Sequence, residues 1–332
     1  MNYIEKHEQL EKNNLFLSDI SSADEGIRKS ANDKLKTWLS TYKRQDGVWR
    51  KVRTPEAVTD ADFVKQHNSR DMVIIRDIKP RSAGAMSTNF DTGTISTSMN
   101  ANTYRIFLHR AWTPKYRIEK NFLVTYDNSL LDVYKDLSLQ DLLGNEDLEG
   151  MSITNANVGA KGVVNEDIGI TQYIDAGATI TPDNIAYVFE GLTHSSDNHS
   201  PTTAMVHRSF WYRMLSALKA SEYGDGVAQD ALLGNLGALE ESLFGIKVVT
   251  VLDKKLIPAN TMYVFASTDT TGAFLTYGEA EVFTELKDSI WYEFFAHETY
   301  GMSMPYRGCV VRADFGSGNG GVAMDWETGA AE

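Results

Sequence analysis

Leu243-Phe-Gly-Ile-Lys-Val-Val-Thr-Val251 opens the stretch whose reading decides the fold. A turn containing Pro258 follows, then Met262-Tyr-Val-Phe-Ala266 and a polar turn around Gly272. Trp291-Tyr-Glu-Phe-Phe295, Glu298-Thr-Tyr-Gly-Met-Ser-Met304 and Gly308-Cys-Val-Val-Arg-Ala313 complete it. Short apolar runs rich in Val, Phe and Tyr, bounded by Gly and Pro, read as strands. No nucleophile motif, metal cluster or phosphate loop sits among them. Cys309, the single cysteine of the chain, reads as a small core residue in one of these strands.

Upstream the pattern mixes helices and strands. Thr181-Pro182 is a helix start with Pro at the first position, and Ile185, Val188, Phe189 and Leu192 form its apolar face. Ala204 to His207 reads as a short strand, followed by a helix bearing Trp211, Met214, Leu215 and Leu218. Gly224, Gly226, Gly234 and Gly237 interrupt residues 219–240. Ser129 caps a helix with Leu130, Leu131, Tyr134 and Leu137 on one side, and Gly144 is a natural stop. Met72 to Ile78 is strand-like. Tyr104, Ile106 and Leu108 alternate as a strand does, and so do Tyr116, Ile118, Phe122, Val124 and Tyr126. Between the first two strands, residues 79–103 are rich in Ser, Thr, Asn, Asp and Gly. An extended polar loop of that length inside a domain usually binds something or is disordered.

Ser22-Ala-Asp-Glu25 is a capping box. Ile27, Ala31, Leu35, Trp38, Leu39 and Tyr42 then recur at helical spacing, so residues 22–45 read as an amphipathic helix behind a polar arm. Nothing nearby in sequence covers its apolar stripe. It docks back on the protein or onto another copy.

The chain has 332 residues, 42% of them hydrophobic, enough for one large domain or two lobes. The irregular order of helices and strands makes α+β the expected class. No apolar run approaches the ~18 residues of a membrane span, and charged Met1 to Leu10 is no secretory signal. One cysteine excludes an intrachain disulfide and fits a reducing compartment. The net charge of −13 is unevenly spread. Residues 1–127 hold 21 Lys/Arg and 16 Asp/Glu (+5), and residues 128–332 hold 11 and 29 (−18). Such segregation suggests that one part meets the other on a neighbour, or meets something charged, with Arg76, Lys79, Arg81, Arg105 and Arg110 as candidate cations. The acidic part is a poor match for nucleic acid, which needs clustered Lys and Arg.

Other chemistry is thin. Gly316-Ser-Gly-Asn-Gly-Gly321 fits GxGxxG, but only eleven residues follow, too few for the helix and acidic residue of a dinucleotide site. His194, Asp197 and His199, with His207 nearby, could hold a metal, although the run is also an ordinary polar loop. His297-Glu298 lacks the second His of a zinc protease motif. Trp211, Trp291, Phe294 and Phe295 read as core.

In order and spacing these parts resemble the major capsid proteins of tailed bacteriophages, with the HK-97-like fold. There a small-Phe-Gly-x-x-Val strand, a Pro turn and a late Gly-Met-x-x strand recur. The resemblance implies an N-terminal arm (1–71), an E-loop hairpin (72–126) and a P-domain with a spine helix (127–175). An A-domain with the return strands of the P-domain (176–315) and a flexible C-terminal tail (316–332) complete the expected chain. It implies a structural protein with no catalytic, cofactor or metal residues, found in the virion capsid and assembled in the host cytoplasm. Its partners would be further copies of itself in hexamers and pentamers, forming an icosahedral shell around double-stranded DNA. A scaffolding protein, a portal and decoration proteins would join them, with no membrane. The arm begins at Met1, so a fused scaffolding segment is not expected and a separate scaffolding protein is. Lys79 lies at the base of the loop and the tip has no Lys, so no covalent cross-link is expected. Two other readings stay open: an encapsulin-type nanocompartment of the same fold, and a metal-dependent enzyme using the His194/His199 loop.

Overall fold

The computed structural model describes residues 26, 47–64, 72–78, 102–119, 130–165, 170–177, 180–194, 199–220, 242–243, 245–287 and 291–316. The expected helix over 22–45, apart from Gly26, lies outside the described residues. So do the centre of the polar loop at 79–101, strand residues 122–126, the segment 221–241 and the tail beyond Gly316.

The elements run α1 (Val48–Val52), β1 (Glu56–Val58), β2 (Met72–Ile78), β3 (Asn102–Trp112), β4 (Tyr116–Glu119) and α2 (Leu130–Val158). Then come β5 (Val164–Asn165), β6 (Ile170–Thr171), β7 (Tyr173–Asp175), α3 (Pro182–Glu190), β8 (Thr203–His207) and α4 (Arg208–Ala220). The order closes with β9 (Ser242–Leu243), β10 (Ile246–Val251), β11 (Thr261–Phe265), β12 (Ala273–Lys287), β13 (Trp291–Ser303) and β14 (Val310–Asp314). The class is α+β. Two units share these elements: 1–62, 108–151 and 274–302 in one, 63–107, 152–273 and 303–332 in the other.

The first unit is a sheet with helices on one face. β1 runs parallel to β12, with Glu56 opposite Leu275, and β3 and β4 both run antiparallel to β13. Side chains alternate along a strand, so β13 sorts its residues cleanly. Glu298 and Tyr300 share one face, where they meet α1 and α2. Trp291, Glu293, Phe295 and His297 share the other. The sequence suggested two segments here; the structure has one strand of 13 residues. Trp291 and Phe295 are consequently not core, whereas Phe294 is.

α2 departs most from expectation. It does not stop at Gly144 but runs 29 residues, about 43 Å, through Gly144 and Gly150. Leu137, expected on the buried face, is exposed. The buried stripe is Ser138, Leu142, Glu146, Gly150, Thr154 and Val158, four residues apart at each step. Gly150 is there for close approach. A Cβ on it would lie 2.4 Å from Cδ2 of Trp49.

The second unit is built on the order β7-β14-β11-β8-β10-β9. β8 and β10 are parallel and linked through α4, as parallel neighbours require a crossover. β8 and β11 are buried at every position, the mark of central strands covered on both faces. The sequence placed both correctly. It also placed α3, where Thr181 Oγ1 accepts from Asn184 N at 3.2 Å and Ile185, Val188, Phe189 and Leu192 are buried. Asn157 at the end of α2 donates to the carbonyls of Met304 and Tyr306 at 3.2 and 3.0 Å. Gly272 has φ +101° and its missing Cβ would strike the Ser303 carbonyl, so the turn tolerates glycine only.

Two glycines of one helix should respond in opposite directions. A Cβ added to Gly144 would meet no described atom within 4 Å, so Gly144→Ala should stabilise by about 0.5–1 kcal/mol through helix propensity. Gly150→Ala gains the same propensity but overpacks a rigid indole, at a cost of about 1–3 kcal/mol. Thermal melts of the two variants should therefore shift up and down respectively.

Candidate functional site

A densely bonded polar site joins α1, α2 and β13 within the first unit. Arg50 of α1 donates from Nε to Glu146 Oε2 at 2.7 Å and from Nη2 to Glu146 Oε1 at 2.8 Å. The same Nη2 donates to Glu298 Oε1 at 2.9 Å. Its guanidinium also lies 5.5 Å from the centroid of the Phe274 ring. All three charged side chains are buried. Next to them Asp147 accepts from Trp49 N at 2.7 Å and, more weakly, from Val48 N at 3.4 Å. It thereby occupies the first-turn amides of α1, where Gly47 has no capping side chain.

Burial raises the Asp147 pKa from 3.8 to about 6, against the two backbone hydrogen bonds that favour its ionised form. The Glu146 charge pushes the same way as burial, and Arg50 opposes it. Asn145 donates to Tyr300 OH at 2.8 Å, and burial drives the Tyr300 phenol upward, so it stays protonated. Further along the helix, His109 and Glu149 lie 2.9 Å apart. Tyr116 donates to Asp141.

The opposite sheet face has different chemistry. Trp112 lies 4.5 Å from His297 and 5.8 Å from Phe295, centroid to centroid. Phe283 stacks on Phe295 at 5.2 Å. Arg110 sits 5.6 Å from the Trp112 ring and Lys115 4.9 Å from the Phe295 ring. Arg117 reaches Glu293 at 2.6 Å, a carboxylate only 1% exposed. Yet Trp112 remains 54% exposed, and Phe283 and Trp291 are each 40% exposed. Large aromatic side chains left this open in a cluster mark an interaction surface.

The residues singled out from sequence fall elsewhere. His207 is a buried structural residue, its ring nitrogens 2.7 Å from Ser209 Oγ and 3.1 Å from the Leu252 carbonyl. His194 is exposed, and Asp197 between it and His199 lies outside the described residues. Among the described residues no group of three His, Cys, Asp or Glu is placed to hold a metal ion. Cys309 is buried in the second unit, its thiol pushed up to about 12 by desolvation. Trp211 is core as read. Arg76, Arg105 and Arg110 are exposed; Lys79 and Arg81 lie outside the described residues. Arg50, Glu146 and Asp147 were not singled out, and Glu298 was weighed only beside His297 as half of an incomplete zinc motif. The available signal was the four-residue row through Glu146 and Gly150, which a search for apolar periodicity passes over.

No protein family description matches this chain, and neither does any curated protein. Solved structures do. The capsid asymmetric unit of cyanophage Pam1 aligns at TM-score 0.53 and 12% identity, covering 80% of this chain and 89% of that one. The capsid structure of cyanophage P-SCSP1u aligns at 0.52 and 11%, covering 79% and 89%. A structure from Gordonia phage Cozz aligns at 0.51 and 9%, covering 80% and 85%.

Arg50→Met should leave two buried carboxylates without their cation and cost about 3–5 kcal/mol of stability. For Asp147 the sign runs the other way. Its folded pKa is raised, so ionisation penalises the folded state above pH ~6, by on the order of 3 kcal/mol in full, and the penalty fades as pH falls toward the unfolded value. Asp147→Asn keeps an acceptor for Trp49 N and removes that penalty. The gain in melting temperature of this variant should be larger at pH 7.5 than at pH 5.

Proposed function

We propose that this chain, whose fold is HK-97-like, is the major capsid protein of a tailed bacteriophage and acts as a structural rather than a catalytic protein. The observation that supports this most is the likeness to phage capsid structures over about four-fifths of the chain. In this reading copies associate into hexamers and pentamers that close an icosahedral shell around double-stranded DNA, without sequence-specific contact. A scaffolding protein, a portal and decoration proteins are the proposed partners, and the host cytoplasm the proposed place of assembly. The proposed division is the one expected from sequence: arm 1–71, E-loop 72–126, P-domain 127–175, A-domain 176–315 and tail 316–332.

The work is mechanical. Obligate contacts of this kind bury roughly 2,000–5,000 Å². Cations of the first 127 residues, Arg76, Arg105 and Arg110 among them, face acidic surfaces of neighbouring copies. An exposed pair contributes only about 0–1 kcal/mol, so no single bridge decides assembly. Repetition over a shell lets such small terms set rate and register.

Purified protein, alone or with a scaffolding protein, should sediment as rings or shells and show them in negative stain. A persistent monodisperse monomer with scaffold supplied would contradict the proposal. Screening lengths fall from about 10 Å at 0.1 M salt to about 3 Å at 1 M. Light-scattering kinetics should therefore show slower early assembly at 1 M salt and with Arg105→Glu, while finished shells persist.

A further inference from the structure

The start of α1 is held by one side chain of α2. A helix of five residues does not persist alone in water. Gly47 gives no side-chain cap, and the amides of Val48 and Trp49 donate to the Asp147 carboxylate at 3.4 and 2.7 Å. The Trp49 ring then packs against Gly150, farther along α2. Residues 1–46 lead into Gly47, so whatever fastens α1 also fastens the chain that precedes it.

We propose that Asp147 makes α1 a proton-operated latch, docked on α2 when this carboxyl carries a proton and opening more readily when it is ionised. Asp147 is buried, and Arg50 directs its Nε and Nη2 to Glu146 and Glu298 instead. The adjacent Glu146 charge therefore repels a second carboxylate more than Arg50 offsets it. A protonated Asp147 keeps the 2.7 Å bond, because Oδ1 as a carbonyl oxygen still accepts from Trp49 N. It gives up only the 3.4 Å contact at Oδ2. Burial accordingly holds this carboxyl up at about 6, above its ordinary 3.8.

Titratable and charged groups meet this cluster from four elements. On α1, Arg50 enters it, Lys51 is exposed and Arg53 pairs with Glu56 at 3.1 Å. On α2, Glu146 adjoins Asp147, and Glu149 lies 2.9 Å from His109 of β3. On β13, Glu298 accepts from Arg50 and the Tyr300 phenol stays protonated. The sign follows from the raised Asp147 value. Its contribution to docking is full below the ordinary 3.8 and is lost as pH rises through about 6. Between pH 5 and pH 7.5 the opening constant of α1 should therefore rise about tenfold. The latch belongs to the folded subunit and is independent of whether copies form a shell.

The test is hydrogen exchange on the dilute full-length chain, read at α1 and at β11 and corrected for intrinsic rates at each pH. Protection of the Val48 and Trp49 amides should fall about tenfold from pH 5 to pH 7.5. At pH 7.5 it should lie at least about tenfold below that of the β11 amides, because α1 opens without global unfolding. Asp147→Asn should hold α1 protected with no pH profile. Imidazoles change charge in the same window, so His109→Gln is the control and should keep the fall. Equal protection of α1 and β11 at every pH overturns the proposal. So does a flat wild-type profile at α1, a fall that survives in Asp147→Asn, or one that vanishes in His109→Gln. Should Asp147→Asn not fold, Glu146→Gln tests the same point: without the neighbouring charge the fall should move to lower pH, and an unmoved profile overturns the proposal.

Discussion

One guanidinium holds the first unit together. Arg50 binds Glu146 through Nε and Nη2 and Glu298 through the same Nη2, joining positions 96 and 248 residues away in sequence. Removing carboxylates from water costs several kcal/mol each unless a cation and hydrogen bonds replace the solvent. Only the planar fork of Arg supplies two parallel donors to one carboxylate and a third to another. α1 has five residues, too short for independent stability, and it exists because Asp147 holds its first amides and Arg50 pins its middle. The segment that leads into the unit is thus clamped to the helix and the sheet by the same residues that neutralise each other.

That clamp explains the composition of α2. A helix that buried only apolar residues would announce itself at a 3.6-residue period. This one buries Ser138, Glu146, Asp147 and Thr154 together with Leu142, Leu143, Met151 and Val158. Glu146 and Asp147 enter the interior with hydrogen-bond partners, to Arg50 and to the amides of Val48 and Trp49. Asn155 accepts from Tyr263 OH at 2.8 Å, and Asn157 ties two loop carbonyls. Such bonds are directional and fix register, where apolar contacts alone would allow a helix to slide.

The same division of labour separates the two faces of the sheet in the first unit. One face is satisfied internally, through Arg50, Asn145 and Tyr300. The other keeps its aromatic rings, bordered by cations and carboxylates, at the surface. Identity of 9–12% to the aligned phage structures with most of the chain covered shows that this architecture survives nearly complete exchange of side chains. What such exchange must preserve is the pattern of burial and backbone pairing.

Local chemistry in the sequence determined much of this protein. Pro258 and Gly272 mark the turns around β11; Thr181-Pro182 starts α3; runs such as Thr203–His207 and Thr261–Phe265 are strands wherever they are placed. Their signals are short-range, in capping, turn geometry and β-branched content, so the sequence alone carries them. The length of α2, the burial of Arg50 with Glu146 and Glu298, and the exposure of Trp112 and Trp291 were decided only by tertiary structure. Gly144 looks like a stop until the helix runs on past it, held six residues later where Trp49 packs against the bare Cα of Gly150. A glutamate looks solvated until a cation 96 residues away accompanies it into the interior, and an aromatic looks like core until the sheet turns it outward. In each case the deciding partner is distant in sequence, and proximity in space is what a fold creates.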